Sequence, residues 1–184
     1  MKRFLFLLLI LPGCGGSGPP PEQAAESTAA ASPVDEDEVI LQLSAYLIAA
    51  PANLAEAQQN AIADYAMNEL IPLERSPSGL FYRILEEGQG EPLQWGQEVS
   101  AHYKGYFLDG QVFDSSYRRG RPLSFRIGNM ISAWNEGMQL LRPGGKILLI
   151  APSELGYGSE GVSDGKAGYL IPPNEPLIFE VELL

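Results

Sequence analysis

Apolar residues recur at helical spacing between Asp35 and about Ile71. Val39, Leu43, Tyr46, Leu47 and Ala50 fall near one face, and the acidic run at 35–38 suits the positive end of a helix. Pro51 interrupts the pattern. Asn53 then caps a second predicted helix, with Glu56 three residues on, and Leu54, Gln58, Ala61, Ile62 and Tyr65 face inward. Pro72 closes the segment. Two uses stay open for this helical segment over 35–72: packing on its neighbour domain, or serving as a homodimerisation arm.

After Pro72 the period changes to strands and turns. "GLFYRIL" reads as a strand, and "EVSAHYKGYFL" alternates with Val99, Ala101, Tyr103 and Phe107 on one face. A two-residue "DG" turn at Asp109 and Gly110 predicts a hairpin into "QVFDSSY". "PLSFRIG" and "KILLIAP" are further strands. "PLIFEVELL" places Leu177, Phe179, Val181 and Leu183 on a buried face and two glutamates on a wet one. One short helix interrupts the strands: Ile131, Trp134, Met138 and Leu141 form an apolar stripe in "MISAWNEGMQLL". An antiparallel sheet with one short helix packed across it makes an α+β domain over residues 73–184, preceded by the small helical segment.

The chain starts differently. Lys2 and Arg3 precede an apolar run from Phe4 to Leu11, then Pro12, Gly13 and Cys14, the pattern of a secretory signal over residues 1–13. The run is too short to cross a bilayer as a helix. "LPGC" resembles a bacterial lipobox, which implies lipidation of Cys14 and a membrane-anchored lipoprotein, on the periplasmic side of the membrane. Cys14 is the sole cysteine, so no internal disulfide forms. Residues 14–34 are rich in Gly, Pro, Ala and Ser and read as a disordered tether. Removing Lys2 and Arg3 with the signal takes the basic residues from 12 to ten against 23 acidic, and the formal charge from -11 to -13. Such a surface repels nucleic acid and anionic lipid alike.

Several chemistries are excluded. His102 is the sole histidine, which rules out His-based triads and multi-histidine metal sites; facing opposite Tyr103 in its strand, it reads as structural. "GYGSEG" fits a dinucleotide fingerprint only formally, since no helix or parallel α/β unit follows it. What remains is an aromatic inventory (Tyr103, Phe107, Phe113, Phe125, Trp134, Tyr157 and Phe179) that fills a core or lines an apolar cup. Asp114 beside Phe113 has two readings. It is a turn-former with Ser115 and Ser116, or the polar group of that cup. In a regular strand the two side chains point to opposite faces, so sharing one pocket requires the strand to bulge or end there.

The order of these pieces from about Ser78 to Leu184 resembles the FKBP family of peptidyl-prolyl cis/trans isomerases. "HYKG" and "FDSS" look like the family's H-Y-x-G and F-D-S-S motifs, "MISAWNEG" its V-I-x-G-W-x-E-G helix, "LGYG" its A-Y-G loop, and "IPPNEPLIFEVEL" its last strand. The resemblance implies a twisted antiparallel sheet wrapped around one short helix, with a hydrophobic pocket between. Carried over position by position, Tyr103, Asp114, the Ile131 backbone N–H and Tyr157 are the catalytic groups. Phe113, Leu123, Met130, Trp134, Leu170 and Phe179 bind substrate. Leu123 stands where the family usually has an aromatic residue and Ala133 where it has glycine, and the loop from Gly158 to Tyr169 is longer than in minimal members. Asp114 either accepts a hydrogen bond from Tyr103 or orients the substrate carbonyl electrostatically. The implied partners are proline-containing polypeptide clients and macrolide-type ligands; no metal or cofactor is called for. The implied function is isomerisation of X-Pro bonds in exported proteins, assisting their folding. A non-catalytic peptide-binding or chaperone module on the same fold is the alternative.

Overall fold

The computed structural model describes residues 35–184. The expected signal segment, Cys14 and the tether lie outside the described residues. Helix α1 runs Glu36–Ser44; the Asp35 carboxylate accepts from the Asp37 and Glu38 backbone N–H groups, and Val39 and Leu43 are buried. Tyr46, Leu47 and Ala50 of the expected stripe lie beyond the helix. Side chains of α2 (Leu54–Asn68) occupy the chain there instead. The Asn60 amide both accepts from the Ile48 N–H and donates to the Ile48 carbonyl, 2.8 Å each, and Gln59 donates to the Tyr46 carbonyl.

Helix α2 is capped as expected, the Glu56 N–H donating to the Asn53 side chain at 2.9 Å. Its buried face is Gln58, Ile62, Ala63 and Ala66; Leu54 and Ala61 face outward and Tyr65 is half-buried. Gln58 and Ile62 face inward as expected, while Ala63 and Ala66, small enough for close packing, are buried where Leu54 and Ala61 were expected.

The strands are β1 (Glu74–Arg75), β2 (Phe81–Glu86), β3 (Glu98–Tyr106), β4 (Val112–Ser115), β5 (Leu123–Arg126), β6 (Lys146–Ala151), β7 (Val162–Ser163), β8 (Tyr169–Ile171) and β9 (Leu177–Leu183). The main sheet has the order β1-β2-β6-β9-β3-β4, with β5 also on β3, and every pairing is antiparallel. Helix α3 (Ser132–Gly137) continues into a 3-10 turn at Met138–Leu140. The β3–β4 connection is longer than the expected two-residue turn. Phe107 N–H donates to the Gln111 carbonyl, leaving a three-residue loop with Gly110 at φ +83°.

Both faces of the sheet are covered. One carries the main core: Ala101, Tyr103, Ile147, Leu149, Phe179 and Val181 pack with Trp134, Met138 and Leu141 of the α3 region. The other meets the two helices: Phe81, Tyr106, Leu148, Ile150 and Ile178 pack with Val39, Leu43, Ile62, Ala66 and Leu73. The unbroken apolar run of β6 follows from this, since both its faces are dry. The far side of β9 is accordingly wet at Glu180 but buried at Ile178, where the helices reach it.

Candidate active site

Strand β4 contains an irregularity at the position the sequence singles out. Gly105 pairs with Asp114, but the next residue, Tyr106, pairs with Val112, so Phe113 is the extra residue of a bulge. The bulge removes the alternation that would separate Phe113 from Asp114. Both line one cavity of about 50 Å³ with Tyr103, Leu123, Met130, Ile131, Trp134, Tyr157 and Phe179. Leu170 of the expected set is elsewhere: it is 48% exposed on β8 and does not line the cavity. Larger clefts exist, one of about 350 Å³ beside Val99 and Leu183, but no aromatic side chain lines that one.

The cup is built of rings meeting edge to face. Trp134 stands perpendicular to Tyr103 at 5.1 Å and to Phe179 at 5.6 Å between centroids, and Phe113 meets Phe179 at 5.7 Å and 85°. Phe125 supports Trp134 from 5.2 Å. The Trp134 indole N–H is buried with no acceptor among the described residues. Gly105 is required by this packing, because a Cβ there would sit 2.6 Å from Phe113 Cζ.

Asp114 is held by three donors. Its Oδ1 accepts from the Ser115 backbone N–H at 2.7 Å and from Arg119, and its Oδ2 accepts from the Tyr103 hydroxyl. Arg119 Nη2 also donates to the Tyr103 hydroxyl oxygen at 2.8 Å, closing a ring of three polar groups at the edge of the cup. Of the two roles open for Asp114 toward Tyr103 and the substrate carbonyl, the hydrogen bond from Tyr103 is therefore made. Burial raises the Tyr103 pKa, and its hydrogen bond to Asp114 adds to the rise. Burial also raises that of Tyr157, with the Asp114 charge adding to it. Both hydroxyls stay protonated donors at neutral pH.

Two contributors were missed in the sequence. Arg119 follows Asp114 by five residues among three arginines, with nothing to mark which one turns back. Asn135 accepts from the Gly128 and Met130 N–H groups and donates to the Met130 carbonyl at 2.6 Å, fixing the turn that brings Met130 and Ile131 to the rim. The Ile131 N–H lies at the N-terminal end of α3, where such groups have no intrahelical acceptor. His102 takes a structural place, its Nδ1 3.0 Å from Ser116 Oγ and its ring stacked on Tyr117. Among the described residues no group of three or more His, Cys, Asp or Glu side chains is placed to hold a metal.

An apolar, ring-lined cup with hydroxyl and carboxylate groups at its edge, on a sheet wrapped around one helix, has a counterpart among known families. The model described as FKBP-type peptidyl-prolyl cis-trans isomerase matches residues 89–184. The chain belongs to that family. Among FKBP-type relatives, FkpA of Escherichia coli (strain K12) is 46% identical over 112 residues, covering 61% of this chain and 39% of that protein. The chain therefore spans about two fifths of that relative's length. The FK506-binding protein of Neisseria meningitidis serogroup B is 44% identical over 108 residues, covering 58% of this chain and 94% of the relative. The crystal structure of a peptidyl-prolyl cis-trans isomerase from Pseudomonas syringae pv. tomato superimposes with a TM-score of 0.59 at 31% identity, covering 74% of this chain and 96% of that one.

Proposed function

We propose that this protein catalyses cis/trans isomerisation of X-Pro peptide bonds in exported polypeptides and so assists their folding. The observation that carries the reading is the convergence of Tyr103, Phe113, Asp114, Trp134, Tyr157 and Phe179 on one cup. Rotation about an X-Pro amide is opposed by a barrier of about 18–20 kcal/mol and takes tens to hundreds of seconds unaided. No bond to a heavy atom is made or broken, so no nucleophile, metal or cofactor is needed. The protein has only to bind the twisted amide better than the planar one.

The planar amide is polarised by resonance and the twisted amide less so, so a dry apolar cup disfavours the ground state relative to the transition state. Trp134 forms the floor under the proline ring, with Phe113, Phe179 and Ile131 as walls. The Ile131 N–H and the Tyr157 hydroxyl donate to the substrate chain. Asp114, held by Arg119 and Tyr103, sets its carboxylate and an oriented hydroxyl beside the rotating carbonyl. A thousandfold acceleration takes about 4 kcal/mol, within reach of binding and orientation alone.

A protease-coupled assay on a proline tetrapeptide with the full chain tests this. Turnover is expected; peptide binding without turnover would favour the non-catalytic module instead. The name of the Neisseria meningitidis relative supports an FK506-type macrolide as a ligand of the same cup.

The finer features are proposed on sequence grounds: a signal over 1–13, a lipid on Cys14, a tether to 34, and an isomerase domain over 73–184 on the periplasmic side of the membrane. No helix among the described residues is long and apolar enough to cross a membrane. Exposed Ile40, Leu41, Leu47 and Leu54 support homodimerisation through the 35–72 segment. Cys14→Ser is expected to move the chain out of the membrane fraction; unchanged fractionation would contradict the anchor.

A further inference from the structure

Gln58 is the one polar side chain on the buried face of α2, only 4% exposed. A buried amide is costly unless its donors and its acceptor find partners. Those partners lie far along the chain. Gln58 Oε1 accepts from the Ser153 N–H at 2.8 Å, and its Nε2 donates to the Asn174 carbonyl at 2.7 Å and to Ser153 Oγ at 3.1 Å. Ser153 opens the 3-10 turn Ser153–Leu155 that leads to Tyr157. Its carbonyl accepts from both glycines flanking that tyrosine, Gly156 at 2.9 Å and Gly158 at 2.8 Å. The Asn174 N–H donates in turn to the Gly158 carbonyl at 2.8 Å, and both Asn174 and Gly158 hold φ of +59°. The two ends of this small ring, Ser153 and Asn174, are joined by Gln58 and by no other side chain among the described residues.

We infer that Gln58 is a positioning residue for the isomerase site: an amide latch by which the N-terminal helical segment fixes the loop that carries Tyr157. The helices are then part of the active site's scaffold. The geometry requires a side chain of this length with one acceptor and two donors. Glutamate would keep the bond from Ser153 N–H but set an oxygen against the Asn174 carbonyl. Leucine would fill the space and make none of the three bonds. The inference rests on the isomerase reading, with Tyr157 as a donor at the mouth.

The test uses the full chain with Gln58→Leu and Gln58→Glu, each also combined with Tyr157→Phe. Two quantities are read: amide hydrogen exchange at Gly156, Gly158 and Asn174, and kcat/KM on a proline peptide. For a latch, Gln58→Leu speeds exchange at those three amides about tenfold or more while β9 amides keep their protection. It lowers kcat/KM about tenfold in the native background and less than twofold once the Tyr157 hydroxyl is gone. Gln58→Glu lies between the two and serves in its place if the leucine variant does not fold. Unchanged exchange at the three amides overturns the latch. So does an equal loss of kcat/KM in both backgrounds, which would mean Gln58 acts by some route other than Tyr157. If the native chain shows no turnover, the isomerase reading fails on its own, and the exchange measurement still decides whether Gln58 holds the loop.

Discussion

Asp114→Asn isolates the charge at the edge of the cup with almost no change of shape. The carboxylate takes three donors through two oxygens. An amide offers one oxygen, so in either orientation a donor group of the protein faces an NH2. The pair with Arg119 is half-exposed, 38% on each side chain, and such pairs contribute about 0.2–1 kcal/mol. Tyr103 is buried as a residue, and loss of its hydroxyl's acceptor costs about 1 kcal/mol more. The expected destabilisation is about 1–2 kcal/mol, or about 3–6 °C in Tm for a chain of this size. Activity should fall further than stability accounts for. With the protein still folded at assay temperature, kcat/KM should drop about tenfold or more, about 1.4 kcal/mol of transition-state stabilisation. The assay is protease-coupled isomerisation below the melting range, run beside Tyr103→Phe and the double variant. If Asp114 acts partly through Tyr103, the two losses are not additive. A drop in Tm with kcat/KM unchanged would rule out a role for the charge in catalysis and leave Asp114 a clamp for the turn it sits in.

Other outcomes follow from the packing and the charges. Gly105→Ala drives a methyl to 2.6 Å from Phe113 and 3.1 Å from Phe179, so it should cost about 1–3 kcal/mol in denaturant unfolding and weaken peptide binding; native values for both would contradict the close approach. Ile62→Ala, at a fully buried position between α2 and the sheet, should cost about 2–4 kcal/mol and leave one cooperative transition by near- and far-UV circular dichroism. A separate melting of the helices would show that the shared core is not cooperative. Burial, with Asp109 nearby, raises the Glu175 pKa above its ordinary value of 4.5. Its protonated form is favoured in the folded state, so stability from this group is complete below pH 4.5 and is lost as pH rises through the folded value. Glu175→Gln should therefore raise Tm at pH 7 and not at pH 4; equal shifts at both would contradict the sign.

The strands and the central helix were legible because their periodicity is plain: alternation in "EVSAHYKGYFL" and the Trp134 stripe both answer to one buried face. The sequence also posed the right question at Phe113 and Asp114, since sharing a pocket demanded a break in the pleat. It did not say which break, because a one-residue bulge is set by the partner strand at Gly105. Arg119 and the long-range hydrogen bonds of the inward-facing Gln58 escaped for a related reason. A charged or amide side chain on an element carries no periodic signature, and its role is decided by groups that lie close only after folding. The covered outer face of the sheet was partly readable in "KILLIAP", where alternation fails, but the wet glutamates of the last strand masked it at Ile178. The family resemblance puts Leu170 in the pocket, but the extra length of the Gly158–Tyr169 loop folds as a small β7–β8 hairpin that leaves it on the surface.

The proposed isomerase activity requires the ring-lined cup to lower the barrier to prolyl rotation without covalent chemistry. Exchange NMR on a proline peptide with substoichiometric full chain tests it in one experiment, since binding shifts resonances and turnover transfers magnetisation between the cis and trans forms. The expected result is faster interconversion, an unchanged cis-to-trans ratio, and loss of the acceleration in Asp114→Asn. Peptide resonances that shift on binding while the interconversion rate stays at its uncatalysed value would contradict it.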